Sequence, residues 1–474
     1  MRNFSRRRFI MSISLLGFYG LSPIKKLIGQ SSPGCIAAPD MTNAPVGVPE
    51  SVFPAKTVNT NFTGPYIVDL HCHPTLKNYL LDYRMWKCHR PHKGENYTHM
   101  QVDIHHLQQG NVAGILAAHH LPERGMKEQT WLFRKIYPLL RTVAPVFVTR
   151  LEDGTPANFR QLTTMMDDFE AHVKKTNEKC GQELLQIAKS FPAFKSGIGA
   201  GKIMIAQTIE GSHALGRNLR DEVMLDHVDF LAARGICLIT LSHFFANDLS
   251  FPVEGITPHD KEGLKFHWQY DPSYDDRPLT SQGKKVVRRM LEKGILVDLT
   301  HMTPSGRGDV LDINDEIATI GGRKRPVLFT HGGVRSVVEK YQAPGYENYR
   351  FLSADEKEIL RIQECGGVIG LVFMNFWLTG SDAYTHSDQV DDFENGIRYI
   401  VESIEAIRQI TKDYRHVALG SDFDGFADSP ADLRGPGEYS KLIDAIKKIP
   451  GITPDEVDNI THGNALRVLE NGWG

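Results

Sequence analysis

The chain is 474 residues long, 41% hydrophobic, and sets 54 Lys+Arg against 57 Asp+Glu for a formal net charge of −3. That balance excludes the basic footprint of a nucleic-acid-binding protein, and a mean hydropathy of −0.29 excludes a chain made largely of membrane spans. Six widely spaced cysteines fit neither a zinc-finger spacing nor a dense disulfide framework, whereas 20 histidines direct attention to imidazole chemistry.

At the N-terminus, Ser5-Arg6-Arg7-Arg8-Phe9-Ile10 places a twin arginine before an apolar stretch running from Ile10 to about Leu21. The order is that of a twin-arginine export signal, and the stretch is short of the about 20 apolar residues that a helical span requires. Gly34-Cys35 is a weak match to a lipidation site, because Ser32 and Pro33 are poor residues ahead of it. Residues 30 to 65 are rich in Pro, Ser, Thr and Asn without periodicity and read as a linker. The expected division is a signal peptide with linker over 1–45 and one folded domain over 60–474.

From residue 67 onward, short apolar runs alternate with amphipathic segments. The runs are Ile67–His73, Val112–Ala118, Ile203–Glu210, Ile236–His243, Ile295–His301, Val327–His331, Val368–Met374 and Val417–Asp422. Near-continuous apolar strands between helical patterns imply a parallel sheet covered on both faces, and eight of them imply a closed (β/α)8 TIM-type barrel with insertions. Leu279-Thr280 opens a helical segment whose Val286, Val287, Met290 and Leu291 share a face, and Thr453-Pro454-Asp455-Glu456 is a capping box. Residues 142 to 198 form a long loop-and-helix insertion before the third run.

The runs end in His71 and His73, Glu210, His243, His301, His331 and Asp422, with Asn375 directly after the seventh. In such a barrel all strand ends open on one face, where catalysis sits. His119 and His120 follow the second run with no role assigned. His71 and His73 are two residues apart, so both imidazoles point the same way. With Glu210, His301 and His331 they make four nitrogens around one shareable carboxylate, a donor set suited to two borderline divalent ions, zinc most naturally. A hydroxide bridging such ions is the expected nucleophile. Asp422 is placed to move the proton, with Asp424 as its competitor, although Asp424-Gly425 reads better as a turn. His243 is placed to steady an oxyanion, and Cys72, on the opposite side of its strand, reads as a packed thiol.

Together these residues resemble the membrane (renal) dipeptidase family of zinc peptidases. The resemblance runs from about Val68 to Leu469. It rests on Val102-Asp103-Ile104 with Val112-Ala113-Gly114, Ile209-Glu210-Gly211-Ser212-His213, Leu241-Ser242-His243 and Val297-Asp298-Leu299-Thr300-His301. It continues through Leu328-Phe329-Thr330-His331, Gly420-Ser421-Asp422-Phe423-Asp424-Gly425 and Gly463-Asn464-Ala465-Leu466-Arg467-Val468. It implies His71 on the first metal, Glu210 as the bridge, and His301 with His331 on the second. It further implies Asp422 for proton transfer and His243 at the scissile carbonyl. An arginine that holds the dipeptide carboxylate maps to Arg350, across an insertion covering roughly 341 to 348, with Arg335 as the alternative. The chain departs from the family at one position: the usual His-x-Asp of the first strand is here His71-Cys72-His73. That exchange removes a negative charge from the first metal position, and His-x-His is also the pattern of the broader amidohydrolases.

The expected function is therefore a zinc-dependent dipeptidase with two ions per chain, or one because of His73. The alternative is an exported amidohydrolase acting on lactones, N-acyl amino acids or other small amides and esters. The expected partners are a small dipeptide-like substrate and the twin-arginine export machinery, with a homodimer as an open arrangement. A periplasmic or extracytoplasmic location follows from the signal. Two stretches have less specific readings: the histidine-rich loop from Cys88 to His106 as an active-site lid or docking element, and 251–278, with Trp268, Tyr270 and Tyr274, as lining of the cleft.

Overall fold

An apolar run with no polar face must be covered on both sides, and a ring of such strands inside a ring of helices does this without leaving an edge. The computed structural model describes residues 62–474 apart from 63, 90–98, 130–156, 264–269, 271, 275, 343, 381–394 and 426–428. The export signal, Cys35, Trp268 and part of the histidine-rich loop lie outside the described residues. Among the described residues, no helix is long and apolar enough to cross a membrane.

Among the described residues there are ten strands: β1 (Ile67–Cys72), β2 (Val112–His120), β3 (Leu185–Ala188), β4 (Ile203–Glu210), β5 (Leu238–Thr240), β6 (Leu296–Asp298), β7 (Val327–Val334), β8 (Ser353–Ala354), β9 (Val368–Leu371) and β10 (Val417–Leu419). Eight of them follow one another in the order β2-β1-β10-β9-β7-β6-β5-β4, and β4 pairs back onto β2 to close the ring. The closing ladder is parallel and runs from Gly114 opposite Met204 to His120 opposite Glu210. These eight are the eight apolar runs, so the expected (β/α)8 barrel is the observed fold. The other two were not expected. β3 pairs with the first half of β4, below the point where β5 begins, within the stretch read as loop and helix. The two-residue β8 pairs with Gly333 and Val334 at the end of β7.

The barrel interior is filled by Val68, Leu70, Leu116, Met204, Ala206, Leu238, Leu296, Leu328, Val368 and Ala418, one or two from each of the eight strands. Phe194, on the helix Phe191–Gly199, and Val468, Leu469 and Trp473, at the C-terminal helix Asn464–Gly472, belong to the same cluster. Alternate strand residues, among them Ile115, Ile205, Ile239, Val297, Phe329, Ile369 and Leu419, pack outward against the helices. The helix Ser281–Lys293 starts at Thr280, whose side chain accepts from the Gly283 amide, and buries Val286, Val287, Met290 and Leu291. Where β7, β9 and β10 crowd together the ring admits no side chain at two points: a Cβ at Gly370 or Gly420 would overlap the Thr330 carbonyl oxygen.

Candidate metal centre

Two of the strands carrying candidate ligands are irregular where those ligands lie. In β1, Val68 and Leu70 face the interior, whereas Cys72, which simple alternation would place with them, packs in the outer layer. The phase changes at a register shift between Asp69 and Cys72. His71 and His73 therefore turn inward while Asp69 remains behind the strand, the re-aiming that a β-bulge provides. A second register shift lies between Phe329 and Gly332 on the β7–β9 ladder, and it includes His331. His243, His301 and Asp422 stand just past the ends of β5, β6 and β10 rather than on them. His301 and Asp422 hold φ at 66° and 58°, a left-handed conformation that ends the ladder and that His and Asp tolerate better than most residues.

These turns bring the imidazoles onto one carboxylate. Nε2 of His71 and of His331 each lie 3.3 Å from Glu210 Oε1, and His301 Nε2 lies 3.4 Å from it. His73 Nε2 lies 3.3 Å from Oε2. Within pairs, the Nε2 atoms are 2.9 Å apart for His71 and His73, and 3.2 Å apart for His301 and His331. Two nitrogens sharing one tetrahedral ion stand about 3.3 Å apart, so both pairs fit the donor spacing of a metal. Each pair also forms a metal-capable group with Glu210, with all donor atoms within 4.8 Å of one another.

The electrostatics point the same way. Burial lowers His71 to about 4, with the His331 ring reinforcing it, so the ring is neutral near pH 7. Burial also opposes charge on His73, but the carboxylates of Glu210 and Asp422 outweigh it and raise the ring to about 10. Burial alone would raise Glu210, yet the His243, His73 and His71 imidazoles hold it well below the ordinary carboxylate range. Two carboxylates thus favour positive charge at His73, the charge that a divalent cation held there would supply instead. The donor set fits borderline divalent ions.

An outer layer of hydrogen bonds orients these rings. Asp298 accepts from Thr240 Oγ1 at 2.6 Å, from Thr300 N and Oγ1, and from Thr330 N and Oγ1. Because the Thr330 hydroxyl donates to Asp298, the contact of 2.8 Å with His331 Nδ1 has the ring as donor. That assignment leaves the His331 Nε2 lone pair facing Glu210. On the opposite wall, Asp69 accepts from the His71 and Ser421 amides and from the Ser421 and Tyr439 hydroxyls, tying β1 to the loop after β10. Trp377 stacks on His331 at 17° between planes and meets His301 edge-on, walling one side with an aromatic face.

Asp422 Oδ1 lies 3.3 Å from His73 Nε2 and 3.8 Å from His71 Nε2, beside the centre and slightly open to solvent. Asp424 points elsewhere. It accepts from the Gln101 and Val102 amides, and burial raises it to about 6, so it clamps the segment before the helix Ile104–Gln109. Cys72 is packed in the outer layer, where burial pushes the thiol up.

His243 lies near the ligands, its Nε2 3.7 Å from Glu210 Oε2. Its Nδ1 is 2.5 Å from Glu123, a buried carboxylate that also accepts from the Phe244 and Phe245 amides. His120, without a role from sequence, also faces the centre: its Nδ1 is 3.1 Å from the Glu210 carbonyl oxygen. Glu123, His120, Phe244 and Trp377 were not identified from sequence. The only signal was His119-His120-Leu121-Pro122-Glu123 directly after an apolar run, and only His120 faces inward. His119 instead bonds Gln207 and packs edge-on against Phe169.

Arg350 makes no described contact with the candidate ligands. It donates to the Glu347 carbonyl and lies over the Phe351 ring at 4.6 Å, while Arg335 covers the same ring at 5.0 Å and donates to Ser353 O. Arg350 lies within the turn Glu347–Leu352 that leads into β8, which is anchored two residues beyond His331, and Arg335 directly follows β7. Of the residues expected to line the cleft, Tyr270 is buried with its hydroxyl on Pro252 O, and Tyr274 packs against Phe251 and Arg277. Neither makes a described contact with the ligands. In the histidine-rich loop, Asp103 caps a helix and accepts from His106 Nδ1 and the His89 amide.

Residues 60–472 match the model of the family described as membrane dipeptidase, peptidase family M19. An uncharacterised dipeptidase of Schizosaccharomyces pombe is 28% identical over 270 residues, 56% of this chain and 53% of that protein. The dipeptidase tcpJ of Claviceps purpurea is 27% identical over 191 residues, 40% of this chain and 38% of that protein. The matches thus span about half or less of these relatives' length. Among solved structures, a metallopeptidase of Rhodobacter sphaeroides bound to a phosphinate mimic of L-Ala-D-Ala superposes with a TM-score of 0.60 at 17% identity, covering 86% of this chain and all of that one. The probable dipeptidase PvdM of Pseudomonas aeruginosa gives 0.59 at 16%, covering 86% of this chain and 95% of its own. These two likenesses are of fold, whereas the family model extends over nearly the whole barrel chain, and on that ground the protein belongs to the membrane dipeptidase family.

Proposed function

We propose that the protein is a zinc-dependent dipeptidase that hydrolyses the amide of dipeptide-like small molecules. The observation that carries this reading is the convergence of His71, His73, His301 and His331 on Glu210, with Asp422 beside them. Bound there, a pair of divalent ions supplies a water made acidic enough to act as nucleophile near neutral pH and Lewis-acid polarisation of the carbonyl. The chain's own groups do the rest. The Asp422 carboxylate takes a proton from the attacking water and delivers it to the leaving amine. His243, with Nδ1 held by Glu123, stabilises the carbonyl oxygen as it becomes tetrahedral when Nε2 also carries a proton. Phe244, packed on His243 and His301, and Trp377 keep bulk water off one side. Arg350, with Arg335 as the alternative, selects a free carboxylate once its side chain swings from Phe351 toward the mouth.

A panel of L-L and L-D dipeptides, assayed with zinc restored, tests this reading; absence of turnover on every member overturns it. After dialysis the protein is expected to carry two zinc ions per chain by elemental analysis. One ion, rising to two in His73→Asp, would instead identify a mononuclear centre in which His73 has displaced a metal.

We propose further that residues 1–45 are a twin-arginine export signal with its linker, that 60–474 form a single folded domain, and that the enzyme works outside the cytoplasm. Arg6 and Arg7 ahead of the apolar stretch support the first of these. Changing both to lysine is expected to leave unprocessed protein in the cytoplasmic fraction; unchanged export would exclude this route.

A further inference from the structure

Two imidazoles beyond the four expected ligands stand on the Oε2 side of Glu210. His120, at the end of β2, has Nδ1 3.5 Å from Oε2, and His243 has Nε2 3.7 Å from it. Their ring centroids are 4.3 Å apart. One donor atom each from His120, Glu210 and His243 lie within 4.8 Å of one another, a group of the same kind as the two that make up the expected centre. The far nitrogen of His243 is held at 2.5 Å by Glu123, itself buried and fixed by two backbone amides. A carboxylate on the outer nitrogen is what a metal-ligating histidine usually has, and it leaves the inner nitrogen's lone pair facing the ion.

We propose that His120, His243 and Glu210 Oε2 form a third divalent-cation position, which fills only when metal is in excess. It is the weaker position for two reasons. It shares Glu210 with ions already bound, whose charge repels another cation. His120 must also release the Nδ1 proton it donates to the Glu210 carbonyl oxygen, 3.1 Å away. Filling it takes His243 out of use at the substrate carbonyl, so excess metal inhibits. This consequence rests on the dipeptidase reading, whereas the binding does not.

The test is a zinc titration, without substrate, of the full-length protein dialysed to its tightly held metal. A third equivalent is expected to bind more weakly than the first two. It should be lost in His120→Phe and weakened about 10–100-fold in Glu123→Gln, with the tightly held ions showing that each variant has folded. Saturation of the wild type at two equivalents overturns the proposal. So does a third equivalent that both variants retain, since it must then lie elsewhere. Weak binding of a third ion by a protein that hydrolyses no dipeptide would leave the cation position standing and remove the dipeptidase reading.

Discussion

Replacing Asp422 by asparagine is expected to lower kcat by about 10²–10⁴-fold, the loss typical of a positioned proton carrier, with KM and zinc content nearly unchanged. The substitution keeps the shape of the side chain, and asparagine accepts the φ of 58° at this position as readily as aspartate does. It removes a carboxylate beside His71 and His73 that can hold a proton without sitting in the middle of the candidate ligands. Although burial works against its charge, hydrogen bonding from His73 and the His331 and His73 rings keep Asp422 below the ordinary carboxylate range. It is therefore ready as a base near neutral pH. Steady-state kinetics with metal analysis separates the outcomes. Unchanged kcat removes Asp422 from proton transfer, and loss of zinc together with activity makes it a ligand instead.

Asp298→Ala is expected to affect both the fold and the metal. The residue is fully buried and accepts five hydrogen bonds from β5, β7 and the loop after β6. Removing it strands buried donors, each costing about 1–3 kcal/mol. Some bonds will re-form with each other, so a net loss of about 3 kcal/mol or more is expected, read as a lower midpoint in denaturant unfolding. It also releases Thr330, whose hydroxyl sets the His331 tautomer, and zinc affinity should fall about 10–100-fold. Burial opposes the Asp298 charge, but His331 and the hydroxyls of Thr240, Thr330 and Thr300 hold its carboxyl below the ordinary range. Its contribution to stability is then complete at neutral pH and disappears only as pH falls through that depressed value. A variant with unchanged zinc affinity would show that β7 orients His331 without Asp298.

Much of this centre could be read along the chain because the barrel makes it local. Each candidate ligand lies at or within three residues of a strand end, and each barrel strand is an apolar run, so His71, Glu210, His301 and His331 are marked by neighbours in sequence. The bulges were not visible, since parity along β1 would place His71 with Asp69, and only the register shift against β2 separates them. Nor were the groups that act across the barrel. Glu123 and His243 are 120 residues apart, and neither is distinctive until the loop after β2 meets the loop after β5. The placing of Arg350 against Phe351 likewise depends on the short β8, whose two residues carry no pattern to detect.

By itself the sequence determined the number of strands in the barrel ring, their parallel arrangement and the candidate donors to be sought at one mouth. Burial on both faces forces continuous apolar runs, and parallel closure sends every strand end to the same side. Only the tertiary structure decided which way each donor points, which tautomer it holds and which residues stand behind it. Those properties depend on hydrogen bonds between segments far apart in the chain, such as Asp298 to Thr330, Asp69 to Ser421 and Glu123 to His243. Their partners are common polar residues, and none shows its role until the ring has closed.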